Sequence, residues 1–405
     1  MQTDDASNLF QTDAALAKSD ARRVKAERAS KIGDPISLPS KVLALQVRAQ
    51  DAWIAESGWV ARRVNLTTGK AKKVFKGHQG PCTSLAILDC SGGDDILFTG
   101  SWDKTVRAWN AETGECISST PAHTDFVKSL LLIPWLNILL SGGSDRQINL
   151  WDLKAFTASC DDRGLRKLKT LKEHTRPVEA LALAEPGHLG SSANEAIFYS
   201  ADSMGVIRSW LVKRDEDDVA VTMKDLFEGH HTSVPDLLIG EGGLWSASVD
   251  NQVLFHPIPR TQPPQSPTPI VHPDYVKSLC LLPSAFHPTA PLLLTGSVDE
   301  DIRVYDVSDI LENASRGDDA SAKEIANVKG HFGEVSSLKC WIKEGEGGKE
   351  PWVVSASLDG TLRRWSMKDI LNPPAIPSDD EKPETPIMTE DEERELAELL
   401  ASDDE

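Results

Sequence analysis

HTDFVKSLLLIP (123–134) and HPDYVKSLCLLP (272–283) are almost the same stretch of sequence, with eight of twelve positions identical. Each copy begins with a histidine and continues into a run that is rich in Val and Leu. A short apolar run bounded by turn-forming residues is typical of a β-strand. The chain therefore contains an internal repeat, and further copies are expected along it.

The same pattern begins at six histidines. After each one comes an apolar run, and then two further runs that are separated by a turn containing Asp, Asn or Gly. Such turns favour β-hairpins. One small sheet cannot bury both of its faces, so the units are expected to pack radially against one another, which leaves only short edges. The six histidines are His78, His123, His174, His230, His272 and His331.

These units resemble the WD40 repeat family, whose repeats begin near Gly-His and end near Trp-Asp. The resemblance covers roughly residues 36–370 and implies an all-β fold, a seven-bladed β-propeller. The segment before His78, which starts with KVLALQV (41–47), supplies a degenerate seventh unit. The stretch PISLP (35–39) is predicted to complete the last blade as its outer strand.

The resemblance also assigns the recurring polar residues to a hydrogen-bonded tetrad of His, Ser or Thr, Asp and Trp. Two units contain all four residues. A third unit contains His272, Ser297 and Asp299 but has Tyr305 in place of Trp. Three units depart from the pattern, with Gly143 at the hydroxyl position, Met204 at the Asp position and His256 at the Trp position. Buried polar groups destabilise a fold unless they are paired, so looser or different packing is predicted in those three blades. The two complete tetrads are predicted to be His78, Ser101, Asp103 and Trp109, and His331, Ser357, Asp359 and Trp365.

The two ends of the chain differ in composition from the repeats. Residues 1–35 are predicted to form a partly helical extension whose helix is solvated. Residues 371–405 form an acidic tail, in which a short helix with Leu396, Leu399 and Leu400 on one face is predicted to dock on a protein groove. The alternative is a tail that only confers solubility.

Composition and motifs argue against several classes of function. The six cysteines are scattered without a C-x-x-C pair, and no nucleotide-binding loop or nucleophile elbow is present. Because the tetrads occupy the repeated His and Asp residues, we expect no catalytic residue, no metal ion, no cofactor and no small-molecule substrate. A net charge of −19 argues against direct nucleic-acid binding. With no long apolar run and no signal-peptide pattern, an intracellular protein, nuclear or cytoplasmic or both, is expected.

A protein-interaction role follows from the resemblance, since propellers of this family act through their faces. Four side chains are predicted to point toward partners on the top face, which carries the His loops and the Asp turns. Aromatic and Arg side chains are common at interaction hot spots. The predicted contacts are Trp102, Phe126, Tyr275 and Arg146.

The favoured function is therefore a non-catalytic scaffold within a multiprotein complex, and two alternatives stay open. The stretch LWDLK (150–154) resembles the signature by which some propellers dock on cullin–RING ubiquitin ligases, through Trp151, Asp152 and Lys154. A chromatin-associated reader of basic protein tails would instead need an acidic cluster at the mouth of the top face.

Overall fold

The computed structural model describes residues 13–90, 95–157, 164–185, 193–216, 218–259, 269–283, 290–313, 321–345 and 348–375. Within these ranges the chain forms seven four-stranded antiparallel sheets. The inner strands of consecutive sheets contact one another in chain order, and the last inner strand contacts the first. The sheets are therefore the blades of a closed seven-bladed β-propeller, as the sequence predicted.

The strands of each blade follow one another from the inner to the outer position. Blade 1 comprises β2 (Val42–Arg48), β3 (Asp51–Glu56), β4 (Val60–Asn65) and β5 (Ala71–Lys76), and blade 2 comprises β6 (Cys82–Leu88), β7 (Ile96–Ser101), β8 (Thr105–Asn110) and β9 (Cys116–Pro121). Blade 3 comprises β10 (Val127–Ile133), β11 (Ile138–Gly143), β12 (Ile148–Asp152) and β13 (Arg166–Leu171), and blade 4 comprises β14 (Val178–Leu183), β15 (Glu195–Asp202), β16 (Ile207–Asp215) and β17 (Asp218–Phe227). Blade 5 comprises β18 (Asp236–Gly240), β19 (Gly243–Ala247), β20 (Gln252–Pro257) and β21 (Ile270–Val271), and blade 6 comprises β22 (Val276–Leu281), β23 (Leu292–Ser297), β24 (Ile302–Asp306) and β25 (Lys323–Val328).

Blade 7 is built from both ends of the propeller. It contains β26 (Val335–Gly345), β27 (Gly348–Ser357) and β28 (Thr361–Ser366), and its outer strand is β1 (Ile36–Ser37). Ile36 pairs with Leu362, and Ser37 pairs with Thr361. The prediction that residues 35–39 complete the last blade is confirmed.

The top face is the end of the ring where two kinds of connection lie together. One is the loop from an outer strand to the next inner strand, and the other is the turn between the second and third strands of a blade. The duplicated stretch that begins at His123 and at His272 is such a loop followed by an inner strand. A β-bulge follows the first residue of the inner strand in both copies, at Val127 and at Val276.

The core lies between neighbouring blades, where the apolar faces of two sheets meet. Phe98 of blade 2 packs edge-to-face on Phe156, which follows β12 of blade 3, with ring centroids 5.3 Å apart. Burial of one such side chain contributes roughly 1.5–3 kcal/mol. Six of the eleven tryptophans are among the largest fully buried side chains, which accounts for their abundance: Trp109, Trp151, Trp210, Trp245, Trp341 and Trp365.

Four α-helices are present in the described ranges. The first of them, α1, was expected to be solvated, but its last turns are anchored on blade 6. Arg22 and Lys25 form ion pairs with Glu300, at 3.1 and 2.7 Å. Arg363 of blade 7 donates to the carbonyl of Ala29, just after the helix, at 2.8 Å. The helices are α1 (Asp13–Arg28), α2 (Lys154–Thr157), α3 (Ser308–Asn313) and α4 (Met367–Leu371).

Candidate functional site: the top face

The histidines of the repeats are fixed by the fold. In blade 2 the His78 ring bonds through Nδ1 to Asp103 (2.8 Å) and through Nε2 to the hydroxyl of Thr99 (2.7 Å). Trp109 Nε1 donates to the same hydroxyl at 2.8 Å. The tetrad hydroxyl therefore belongs to Thr99, and the prediction of Ser101 was wrong. The two residues lie two apart on β7 and face the same side of the sheet, so the sequence pattern could not separate them.

Ser101 holds the His loop instead of joining the tetrad, and blade 7 has the same two hydroxyl contacts. The Ser101 hydroxyl donates to the carbonyl of Gly80 at 3.0 Å and so holds the His loop on the strand. In blade 7 the tetrad hydroxyl is Ser355, 2.7 Å from His331 Nε2, and Ser357 makes the loop contact that Ser101 makes in blade 2. The prediction of Ser357 as the tetrad hydroxyl was therefore also wrong.

Blades 3 and 4 contain complete tetrads, so the prediction of looser packing there was wrong. Ser141 supplies the hydroxyl to His123 at 2.8 Å, and Gly143 is needed beside the ring because a Cβ there would clash with the His123 Nδ1 atom. In blade 4 Asp202 bonds to His174 at 2.9 Å from a position two residues before the expected one. This shift leaves Met204 free of the tetrad.

Blades 5 and 6 depart from the pattern to different degrees. His230 of blade 5 keeps its bonds to Asp250 and Ser246, at 3.0 and 2.8 Å. In blade 6 the carboxylate of Asp299 pairs instead with Arg303 at 2.7 Å. Neither ring nitrogen of the buried His272 has a hydrogen-bond partner within the described ranges. The predicted pairing of His272 with Asp299 is therefore wrong.

Burial controls the protonation of these groups. Burial, helped by the charge of Arg303, lowers the pKa of His272 to about 4. Burial alone would raise the pKa of Asp359, but hydrogen bonds from His331 and Thr361 outweigh it and lower that pKa to about 2. The tetrad carboxylate of blade 7 is therefore ionised and already bonded, and has little capacity for ligands.

Blade 1 replaces the tetrad with an ion pair. Glu56 is fully buried and bonds to the Arg62 guanidinium at 2.5 Å and to the Ser40 hydroxyl at 2.7 Å. The degenerate repeat thus joins the same loop to the same strand end with different chemistry. No group of three or more His, Cys, Asp or Glu residues within the described ranges is arranged to hold a metal ion.

Large apolar side chains are exposed at the top face. Trp102, in the turn between β7 and β8, stacks on Phe126, in the loop before β10, with centroids 4.9 Å apart and planes inclined by 17°. The two rings remain 44% and 37% exposed. Arg146 is exposed in the adjacent turn of blade 3 and has a left-handed backbone, with φ of 69°. Three of the four predicted contacts thus form one surface across blades 2 and 3.

Tyr275 lies apart from that surface, in the loop that leads into blade 6. Its ring is exposed and its carbonyl accepts from the Ser297 hydroxyl at 2.9 Å. The sequence interpretation missed two further exposed side chains at the top face, Trp59 in the turn of blade 1 and Met204 in the turn of blade 4. The sequence did contain a sign of Met204, because it stands where the repeat pattern expects the tetrad Asp and its side chain cannot make that hydrogen bond.

The ligase-like stretch is mostly internal. Trp151 is buried and its indole donates to Ser141 at 2.9 Å. The buried Asp152 pairs with Arg214 at 2.7 Å and also with Arg166. Lys154 is exposed, and its Nζ atom donates to a backbone carbonyl at residue 216 at 2.6 Å. The fold therefore accounts for the first two of these three side chains.

The mouth of the ring on the top face has no acidic cluster at the positions that open the inner strands. Lys128 and Glu179 form an ion pair there at 3.2 Å. The side chains that follow the buried Val or Cys at or just before the start of each inner strand include two lysines and one glutamate, and Asp236 opens β18. They are Leu43, Thr83, Lys128, Glu179, Pro235, Lys277 and Ser336.

The predicted tail contacts Leu396, Leu399 and Leu400 lie outside the described residues. No helix within the described ranges is long and apolar enough to cross a membrane.

Comparison with protein families agrees with the architecture. The family model described as WD domain, G-beta repeat matches four segments of the chain. The chain is therefore a WD40-repeat protein, and its fold is the seven-bladed propeller of that family. Propellers of this kind typically bind other proteins. The matched segments are 69–110, 114–152, 266–306 and 322–366.

Individual proteins resemble the chain over different shares of its length. An uncharacterised WD repeat-containing protein of Schizosaccharomyces pombe is 27% identical over 385 residues, which are 91% of this chain and 90% of that protein. The ribosome biogenesis protein YTM1 of Candida albicans is 25% identical over 191 residues, 47% of this chain and 36% of that protein. Among solved structures, the computationally designed protein Ika8 matches with a TM-score of 0.55 and 21% identity, over 80% of this chain and 83% of that one. The last likeness supports the fold alone.

Proposed function

We propose that the protein is a non-catalytic scaffold that binds other proteins within a multiprotein complex. The observation that carries this proposal is the exposed, stacked pair of Trp102 and Phe126 on the top face. We call this pair, together with Lys104 and Arg146 beside it, the blade 2–3 patch. Tyr275 is proposed as a separate contact toward the same face.

The exposure of these rings argues for an interface. Large aromatic side chains with Arg nearby make up most interaction hot spots, and clustered apolar side chains on a surface commonly mark binding sites. Neither ring fills a gap in the core, because the core between blades 2 and 3 is closed by other side chains, including Phe98, Trp151 and Phe156. A partner would bury the pair and gain the apolar contact.

A catalytic role is less well supported. The five histidines that make tetrad-type bonds, one in each of blades 2, 3, 4, 5 and 7, use both ring nitrogens on structural partners. An intracellular location, nuclear or cytoplasmic, is supported by free thiols at Cys82, Cys116, Cys280 and Cys340, because disulfides form mainly in oxidising compartments. The similarity to a protein named for ribosome biogenesis is consistent with work in a large assembly.

The two alternatives have less support. A ubiquitin-ligase adaptor would have to bind chiefly through Lys154, since Trp151 and Asp152 are buried. A reader of basic tails needs an acidic mouth, whereas the opening of the ring carries Lys277 and an ion pair of Lys128 with Glu179. Recovery of cullin subunits or of histones as the dominant partners would favour one of these alternatives over the proposed scaffold.

The test compares two double variants by quantitative affinity purification and mass spectrometry. Trp102→Ala with Phe126→Ala should lower the recovery of top-face partners at least tenfold, since hot-spot truncations commonly cost about 2 kcal/mol or more. The matched control is Met223→Ala with Leu226→Ala on the outer strand β17, where the two side chains are 47% and 38% exposed. Its partners should match those of the wild type.

Thermal melting of both variants decides whether the rings belong to the core. Both melting temperatures should stay within a few degrees of the wild type, because exposed side chains contribute little to the free energy of unfolding. Unfolding of the Trp102 and Phe126 variant, or an unchanged set of partners, would show that the pair is not an interface.

A further inference from the structure

Two cations lie in the turns of blades 2 and 3 that belong to the blade 2–3 patch. Lys104 and Arg146 each follow the tetrad Asp of their blade, and both have left-handed backbones, with φ of 71° and 69°. Both side chains are exposed, and neither forms an ion pair with another described residue. In a chain of net charge −19, two free cations beside an exposed apolar pair define a distinct chemical surface.

Backbone hydrogen bonds hold these four side chains on one connected surface. The Lys104 carbonyl accepts from the amide of Ala122 at 3.0 Å, which ties the turn of blade 2 to the loop before blade 3. The Phe126 carbonyl accepts from the amide of Ser144 at 2.8 Å, which ties that loop to the turn that carries Arg146. The rings and the cations are therefore placed by the same rigid framework, and little ordering would be needed when a partner binds.

The carboxylates nearby are already engaged. Asp103 and Asp145 each accept from a histidine ring and from a backbone amide of the loop. Asp125 is half-buried, and its Oδ1 atom accepts from the Phe126 amide at 2.8 Å. The most exposed groups of the patch are the two rings and the two cations, and Asp125 lies half-buried beside them.

We propose that the blade 2–3 patch binds an acidic peptide segment in which one apolar side chain is flanked by Asp or Glu. This rests on the proposed function, because it names the class of partner for the same surface. The apolar side chain packs on the stacked pair, and the flanking carboxylates reach Lys104 on one side and Arg146 on the other. Charge-assisted hydrogen bonds to carboxylates suit both cations, and the Arg guanidinium can bind one in bidentate geometry.

Single-stranded nucleic acid is the competing occupant, because aromatic platforms with cations also bind unpaired bases. It is disfavoured for two reasons. The Trp102 and Phe126 rings stack on each other at 4.9 Å, which leaves no space for a base between them. The net charge of −19 repels a polyanion over long distances, whereas a short acidic segment needs only the local cations.

The test uses the full chain and three immobilised peptide sets of equal length. In each set a central Phe or Leu has two residues on either side, and these are Asp or Glu, or Lys or Arg, or Ser. A 15-nucleotide single-stranded RNA serves as a fourth probe. The wild type should retain the acidic set at least tenfold better than the other three probes, and retention should fall as salt rises from 50 to 500 mM, because salt screens exposed charges.

Two charge-reversed variants locate the interaction. Lys104→Glu with Arg146→Glu should lower retention of the acidic set about tenfold or more and raise retention of the basic set. The matched control, Lys70→Glu with Lys323→Glu, changes the net charge by the same amount at exposed lysines away from the patch and should behave as the wild type. Circular dichroism should show that both variants are folded.

The outcomes separate this proposal from the proposed function. Equal retention of the acidic, basic and Ser sets, stronger retention of the RNA, or no retention of any peptide overturns the acidic-segment proposal. The proposed function would still stand if Trp102→Ala with Phe126→Ala lost cellular partners. It fails, and this proposal with it, if that variant keeps the partners and the acidic set of the wild type.

Discussion

His272 and His331 begin equivalent blades, yet the same substitution at the two positions should change the stability of the propeller by very different amounts. His331 bonds to Asp359 at 2.8 Å and to Ser355 at 2.7 Å, whereas neither ring nitrogen of His272 has a hydrogen-bond partner among the described residues. We predict that His331→Phe strongly destabilises the propeller and that His272→Phe changes its stability little at neutral pH.

The magnitudes follow from what each substitution leaves behind. His331→Phe leaves the Ser355 hydroxyl with only the Trp365 indole as a partner and removes a side-chain hydrogen bond of the Asp359 carboxylate, which should cost about 3–5 kcal/mol. His272→Phe removes no hydrogen bond seen in the structure. It keeps the edge-to-face contact with Tyr305, whose ring centroid lies 5.3 Å from that of His272, so a change of about 0–1 kcal/mol is expected.

Acid should widen the difference between the wild type and His272→Phe. The pKa of His272 is lowered from 6.5 to about 4 in the folded state. Between these pH values the unfolded chain binds a proton that the native chain does not, so acid favours unfolding of the wild type by about 2 kcal/mol at pH 5. His272→Phe lacks this contribution, and its stability relative to the wild type should rise by that amount between pH 7.5 and pH 5.

Urea unfolding, followed by tryptophan fluorescence and circular dichroism, measures both effects. The unfolding midpoint should fall clearly for His331→Phe, stay near the wild type for His272→Phe at pH 7.5, and exceed that of the wild type for His272→Phe at pH 5. Equal losses at pH 7.5, or a difference that does not change with pH, would refute the assignment of His272 as an unpaired buried imidazole.

Two other predictions concern contacts that the sequence did not indicate. Thr99→Val removes the hydroxyl shared by His78 and Trp109, and should lower the free energy of unfolding by about 2–4 kcal/mol. Urea titration measures this loss, and a loss below about 0.5 kcal/mol would show that Thr99 is not the tetrad hydroxyl. Lys25→Glu places two carboxylates together at Glu300 and should destabilise helix α1 by up to about 1 kcal/mol, seen as faster hydrogen exchange over residues 13–28. Unchanged exchange would mean that the ion pairs do not anchor the helix.

The fold followed from the sequence because it depends on patterns that recur. Six histidines, each followed by apolar runs and tight turns, predicted six repeats, and the degenerate stretch before His78 supplied the seventh. The resemblance to WD40 repeats then implied that residues 35–39 close the ring. The degenerate blade 1 was recognised because its strand pattern survives although its tetrad is replaced by Glu56 and Arg62.

The candidate site was only partly predictable, since it depends on distances across the ring. Residues two apart on a strand share a face, so the pattern could not distinguish Thr99 from Ser101. Asp299 pairs with Arg303 and not with His272 because of the distances between these side chains in the folded blade. The spacing of residues in the sequence does not contain those distances. Trp102 and Phe126 could be assigned to adjacent blades from the sequence, but the stacking of their rings depends on the contact between those blades in the folded protein.

The strand that closes the ring also sets an order for biosynthesis. Strand β1 is synthesised before the other strands of the propeller, but its hydrogen-bond partner β28 lies some 330 residues later in the chain. Six blades can form before that partner exists, while the backbone groups of β1 that pair with it remain open. The ring can therefore close only after β28 has been synthesised, and a nascent chain stalled before residue 361 should be an open arc that chaperones can still bind.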